Sequence, residues 1–160
     1  MKFGIIKERK NPPDRRVVFT PEELGRMKKE HPEVQIKVER SDIRVFSDEE
    51  YVAQGIEVAD DMTDCDVLFG VKEVPVDALI PNKKYFFFSH TLKKQTHNRK
   101  LLQAIIAKKI DLYDHETIVD AHYKRLIGFG RYAGIVGAYN GLRAFGIKFE
   151  LFTIPKAETL

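Results

Sequence analysis

Two strongly apolar runs in this sequence end in side chains that can carry protons. Val67-Leu68-Phe69-Gly70-Val71 leads into Lys72-Glu73, and Phe86-Phe87-Phe88-Ser89 leads into His90, with Lys93 and Lys94 close behind. A histidine changes charge near neutral pH. A lysine can be brought towards neutrality by burial or by neighbouring positive charge. Together such a pair can pass protons around an imine or an amine. Lys93 can share the His90 face of the turn. Glu116, in Leu112-Tyr113-Asp114-His115-Glu116, follows another apolar stretch and can pair with a lysine or receive an ammonium. Arg15 and Arg16 close the first polar loop, where an arginine can clamp a carboxylate with two parallel hydrogen bonds. Each residue also has a plainer reading. Lys72 can pair with Glu73 or face solvent, and His90 can satisfy a backbone carbonyl. Lys93 can be a solvated lysine, Glu116 a helix cap, and the arginines part of a solvated charge cluster over 7–16.

The elements that must place these residues alternate between strand and helix. Phe3–Ile6, Val34–Val38, Asp66–Val71, Lys84–Ser89 and Ile110–Tyr113 read as strands. Thr20-Pro21-Glu22-Glu23 is a capping box with proline at the first helical position, and Ser47-Asp48-Glu49-Glu50 is a second one. Gly55 closes the second helix. Leu101, Leu102, Ile105 and Ile106 give 97–108 one apolar helical face. Arg125–Phe129 and Ile147–Ile154 read as two further strands, with a helix over 131–145 between them. Strands alternating with helices predict an α/β domain with a mostly parallel, three-layer sheet of the flavodoxin or Rossmann kind. In such sheets ligands bind at the carboxyl ends of the strands, where Lys72 and His90 fall. A strand opening a new unit just before Leu160 suggests a truncated chain.

Six of the ten glycines lie between Gly128 and Gly146. Gly128-Phe129-Gly130-Arg131-Tyr132-Ala133 formally fits a dinucleotide fingerprint, and Glu150 stands where an acid could meet a ribose. Ala133, Gly137 and Gly141 recur at every fourth position, as do Gly130, Gly134 and Ala138. That spacing makes one side of a helix smooth enough to pack tightly on a neighbouring backbone. The packing reading is preferred, because too few residues follow Glu150 to complete a nucleotide domain.

A length of 160 residues suits one domain of ordinary size. The composition, 43% hydrophobic and 32% charged, is that of a soluble globular protein. A net charge of +3 is too small to argue for nucleic acid or membranes. No apolar run approaches the ~20 residues needed to span a bilayer, and the N-terminal apolar run stops too soon for a signal peptide. The lone Cys65 cannot form an internal disulfide and reads as plain filler, so a reducing, cytoplasmic setting is expected. His31, His97, His115 and His122 share no metal-ligand spacing, and no metal is expected.

Along nearly its whole length the chain resembles the N-terminal domain of the alanine dehydrogenase, pyridine nucleotide transhydrogenase and saccharopine dehydrogenase superfamily. Gly4-Ile5-Ile6-Lys7-Glu8 with Arg16-Val17-Val18-Phe19-Thr20-Pro21 is similar to the family's first strand and substrate-arginine loop, and Gly70-Val71-Lys72-Glu73 to its lysine motif. Phe88-Ser89-His90-Thr91-Leu92-Lys93-Lys94-Gln95, Leu112–Glu116 and Phe129–Gly134 are closer to lysine-forming saccharopine dehydrogenases and lysine–ketoglutarate reductases. The resemblance implies the substrate domain of an NAD(P)-dependent amino-acid dehydrogenase acting on a CH–NH group. Lys72 and His90 would be its acid–base pair, Arg16 would bind a substrate carboxylate, and Lys93 and Glu116 would bind or tune around them. Residues 1–130 would form the substrate domain. Residues 131–160 would form an interdomain connector helix and the start of a truncated nucleotide domain. NAD or NADP would then bind elsewhere in a full-length enzyme, no cofactor-binding residue can be named here, and this chain alone is expected to be inactive. The expected ligand is an amino acid or 2-oxo acid, and homo-oligomerisation stays open. The alternative is a non-catalytic domain that binds an amino acid or a partner protein.

Overall fold

In the computed structural model, residues 1–156 are described; they fall into one unit over Met1–Arg125 and a second that begins at Leu126. Short apolar runs become the strands of the first unit: β1 (Lys2–Ile5), β2 (Gln35–Glu39), β3 (Glu57–Ala59), β4 (Val67–Phe69), β5 (Lys84–Phe87) and β6 (Asp111–Asp114). They form one sheet in the order β3-β2-β1-β4-β5-β6, and every pairing is parallel. The α/β expectation therefore holds, with the Rossmann rather than the flavodoxin strand order. The order reverses between β1 and β4, which makes that seam the topological switch point.

Both capping boxes form. Thr20 Oγ1 accepts the Glu23 N–H at 3.2 Å while Glu23 Oε2 accepts the Thr20 N–H at 2.8 Å, opening α1 (Pro21–Glu30). Ser47 and Glu50 do the same for α2 (Asp48–Ala53), and Gly55 follows in the left-handed region at φ 74°. The third helix is shorter than expected: a single tight turn over Thr96–Asn98 precedes α3 (Arg99–Ala107).

Alternation along the strands sorts side chains to two faces. Leu24 of α1 and Tyr51 of α2 bury against Ile5, Ile36 and Val38. Leu101 and Ile105 of α3 bury against Leu68, Tyr85 and Phe87 in a separate cluster. Each such large apolar side chain contributes about 1.5–3 kcal/mol by leaving water. The two crossover directions of a doubly wound sheet place these helices on opposite faces. Gly4 lets β1 lie close to the second cluster, since a Cβ there would stand 2.7 Å from Leu68 and Met62 and 2.9 Å from the Cys65 sulfur. Cys65 is fully buried, as expected of filler, and burial pushes its thiol up to about 11. Over β2 the face away from α1 carries charge. Lys37, only 5% exposed, meets Asp64 at 2.7 Å, and Glu39 pairs with Arg9. Above β1, β4, β5 and β6 a row of rings runs from Phe3 through Phe69 and Phe86 to Tyr113, with centroid separations of 6.0, 4.7 and 4.6 Å.

Two expected strands are absent. Over 125–129 only Arg125 makes a bridge, antiparallel to Val119. Asp120 turns the chain there by accepting the N–H groups of His122 and Lys124 at 2.8 and 2.9 Å. Over 147–154 the second unit continues its helix instead: α4 spans Gly130–Lys148. The chain then reverses at Glu150, whose φ is 54°, and Phe152 packs on Gly146. Arg143 Nε and the Tyr139 hydroxyl donate to the carbonyls of Ile154 and Pro155 at 3.0 and 2.7 Å. An apolar run without a neighbouring strand has nothing to pair with, so it folds back on its own helix. Among the described residues nothing beyond the adjoining turns of the helix itself comes within 4 Å of a Cβ placed at Gly130, Gly134, Gly137 or Gly141. No helix among the described residues is long and apolar enough to cross a membrane.

Candidate active site

The loops after β1, β4, β5 and β6 emerge side by side at the carboxyl edge of the sheet, and each brings candidate residues there. The loop after β1 brings Arg16. Its Nε donates to Asp14 Oδ1 at 2.9 Å and a terminal nitrogen donates to Oδ2, the two-pronged geometry of an arginine on a carboxylate. These bonds outweigh burial and hold the Asp14 carboxyl below its ordinary value, with Lys72 adding a smaller electrostatic pull. Arg16, Asp14 and Lys72 are thus electrostatic neighbours.

The loop after β4 brings Lys72. Its Nζ stands 6.0 Å from the centroid of the Phe88 ring, at the outer reach of a cation–π contact. The loop after β5 brings His90, whose ring stacks on the other candidate's neighbour, Phe88, at 6.2 Å. Lys72 and His90 therefore share one aromatic ring. His90 Nδ1 faces the Glu73 carboxylate at 2.5 Å; a carboxylate can only accept, so Nδ1 is the donor there, and Nε2 is the ring nitrogen outside that bond. Burial pushes the Glu73 carboxyl up, but its own backbone N–H and the bond from His90 outweigh this and hold it below its ordinary value. Lys10 lies 3.9 Å away on the same carboxylate.

His90 sits in the left-handed backbone region at φ 51°. For a residue with a Cβ this costs roughly 1–2 kcal/mol. Surrounding bonds maintain it. Buried Asp114, the last residue of β6, accepts the Ser89 N–H at 3.2 Å and the Ser89 hydroxyl. Ser89 Oγ in turn accepts the Thr91 N–H at 3.1 Å, and Asn98 Nδ2 donates to the His90 carbonyl at 3.2 Å. Asp114 also accepts the Glu116 N–H at 2.8 Å, tying the ends of β5 and β6 together. Glu116 pairs with Arg125 rather than with a lysine.

Arg16 and Lys72 thus share Asp14 as an electrostatic neighbour, Lys72 and His90 both flank Phe88, and Asp114 joins Glu116 to the Ser89–His90 turn. Lys93 is exposed and its side chain has no partner among the described residues. His90 meets a carboxylate, not the backbone carbonyl of its plainer reading. His115 takes that role instead, with Nε2 donating to the Gly70 carbonyl at 3.1 Å and its ring edge-on to Phe88. Glu8, Asp14, Asp114 and Arg125 were not singled out from the sequence. Only Asp14 carries a local signal, since it stands two residues before the arginine it holds. Among the described residues no group of three or more His, Cys, Asp or Glu could hold a metal. A mostly apolar hollow of about 160 Å³ lies beside α1, lined by Phe3, Phe19, Leu24, Met27, His31 and Phe69 among others.

Gly128–Ala133 lacks the setting of a dinucleotide fingerprint: that motif needs a strand running into the glycine turn, and Gly128 is preceded by irregular chain.

Alpha-aminoadipic semialdehyde synthase of Arabidopsis thaliana is 37% identical over 147 residues, covering 89% of this chain and 14% of that protein. Saccharopine dehydrogenase (NAD(+), L-lysine-forming) of Yarrowia lipolytica is 28% identical over 131 residues, covering 79% of this chain and 35% of that protein. The chain thus spans well under half the length of these curated relatives. A solved L-alanine dehydrogenase superposes with a TM-score of 0.65 at 20% identity, covering 78% of this chain and 35% of that one, which shows the shared fold. The family described as alanine dehydrogenase/PNT, N-terminal domain, matches residues 4–136, and to that family the chain belongs.

Proposed function

We propose that this chain is the substrate-binding part of an NAD(P)-dependent amino-acid dehydrogenase of the saccharopine or alanine dehydrogenase type, acting on a CH–NH group. The observation that carries the proposal is that Lys72 and His90 both flank the Phe88 ring, at the carboxyl ends of the neighbouring strands β4 and β5. Arg16 would hold a carboxylate of the amino acid or 2-oxo acid. Lys72 would hold or move the proton at the nitrogen or oxygen of the reacting carbon, and His90 Nε2 would take or return the second proton. Glu73 on Nδ1 would steady the imidazolium formed in between. Lys93 and Glu116 would bind or tune around this pair, Glu116 by fixing Arg125.

In this reading residues 1–130 bind substrate, and 131–160 connect to a nucleotide domain that would supply hydride chemistry with NAD or NADP. The glycine segment 128–133 does not have the strand-turn setting that would hold that cofactor, so no step is assigned to it. A cytoplasmic setting and a homo-oligomer belong to the same proposal. Calorimetry of the chain with 2-oxoglutarate, pyruvate, lysine and alanine tests it. One of these should bind, and Arg16→Ala should weaken the binding by roughly ten- to a hundredfold, the loss expected of charge-assisted hydrogen bonds. No heat with any of the four, or binding unaffected by Arg16→Ala and Lys72→Ala, would defeat the reading.

A further inference from the structure

Glu8 follows β1, and its carboxylate is engaged by the backbone of the loop after β4. Oε1 accepts the Val71 N–H at 2.7 Å and Oε2 accepts the Lys72 N–H at 2.9 Å. Gly70 lies close beside the end of β1: a Cβ there would press on Ile6 at 3.1 Å, while Glu8 Oε1 would be in ordinary contact at 3.5 Å. Two donors on the two oxygens of one carboxylate set both the place and the tilt of the backbone between them. The Lys72 side chain leaves that backbone directly, so its direction follows from the Glu8 contact. A glutamine is not equivalent. It offers one acceptor oxygen, and its NH₂ would face a second N–H donor.

We propose that Glu8 is a positioning residue whose carboxylate grips the Val71 and Lys72 N–H groups across the β1–β4 seam and thereby aims Lys72 Nζ into the site. The aim matters only if Lys72 has the role proposed above. The charged groups facing Glu8 are Asp14 and Arg16, and burial pushes its carboxyl up.

The test follows the Val71 and Lys72 amide protons by NMR as pH is varied. In the wild-type chain the two signals should move together, with a midpoint above the ordinary glutamate value, and should still do so in Asp14→Asn. Glu8→Gln should abolish the shared titration and weaken 2-oxoglutarate binding about tenfold, the loss of the one charge-assisted contact that a misaimed Lys72 no longer makes to the ligand. Glu8→Asp, which keeps the charge, should recover part of the affinity. Amides that titrate independently, or a Glu8→Gln chain with wild-type amide shifts and affinity, would overturn the proposal. If Glu8→Gln does not fold, the wild-type titration alone decides. Binding unchanged in both Arg16→Ala and Lys72→Ala would overturn the site reading, and the amide titration would still decide whether Glu8 holds this backbone.

Discussion

Removing the Asp114 carboxylate should loosen the turn that presents His90, and the cost can be worked from its bonds. Asp114 is 7% exposed and Ser89 is fully buried. In Asp114→Ala the Ser89 N–H loses its acceptor at 3.2 Å, the Ser89 hydroxyl loses a second, and the Glu116 N–H loses one at 2.8 Å. A buried donor left unsatisfied costs about 1–3 kcal/mol. The Ser89 hydroxyl keeps Thr91 Oγ1 at 2.8 Å, and the Glu116 amide is only part-buried, so neither loss is complete. The sum is about 3–5 kcal/mol, against a whole-domain stability of roughly 5–15 kcal/mol. Asp114→Asn keeps one acceptor and should lose about half as much. Urea unfolding read by circular dichroism gives the free energies. The His90 ring signals, shifted by Phe88, should report a turn released from its left-handed conformation. A loss below about 1 kcal/mol in the alanine variant, or an unmoved His90 signal, would refute the reasoning.

Burial holds the His115 imidazole below its ordinary value of 6.5, against the opposing bond to the Gly70 carbonyl. The unfolded chain therefore binds this proton more readily, so stability is full above the unfolded value and falls as pH drops towards the folded one. Urea midpoints from about pH 8 to pH 5 should show that fall, and it should shrink in His115→Gln. An identical slope in both chains would contradict the assignment. Gly4→Ala should cost about 1–3 kcal/mol, because the added methyl collides with Leu68, Met62 and Cys65. Unchanged thermal stability would show that this cluster yields freely. Cys65, fully buried with its thiol raised to about 11, should react with Ellman's reagent only as fast as the chain unfolds. Rapid labelling of the native chain would contradict its burial.

What could be read from the sequence is what depends on near neighbours. Thr20 with Glu23, and Ser47 with Glu50, declare their helices within one turn. Lys72 and His90 announce themselves because each ends a run too apolar to be anything but core. β3 escaped notice because three residues, Glu57–Ala59, are too few to show alternation. Ile147–Ile154 misled for the opposite reason: its apolar residues are real, but the run begins inside α4 and then turns back so that Phe152 packs on Gly146 instead of joining a sheet. Glu8 was invisible as a partner of Lys72, because their contact depends on β1 lying beside β4. That adjacency follows from strand order, which no local pattern encodes.

The seam between β1 and β4 has a consequence for how the chain reaches its working form. Glu8 and Val71 are 63 residues apart, whereas the pairings within β1-β2-β3 and within β4-β5-β6 join segments much nearer in sequence. Closing a longer loop costs more entropy and slows folding. The two halves of the sheet should therefore assemble first, each around its own cluster, and meet last along Phe3, Phe19 and Phe69. Lys72 gains its support from Glu8 only at that meeting. A half-assembled chain would already have its helices and most of its core, yet would bind no ligand. Ligand affinity is thus a stricter measure of complete folding than helical content.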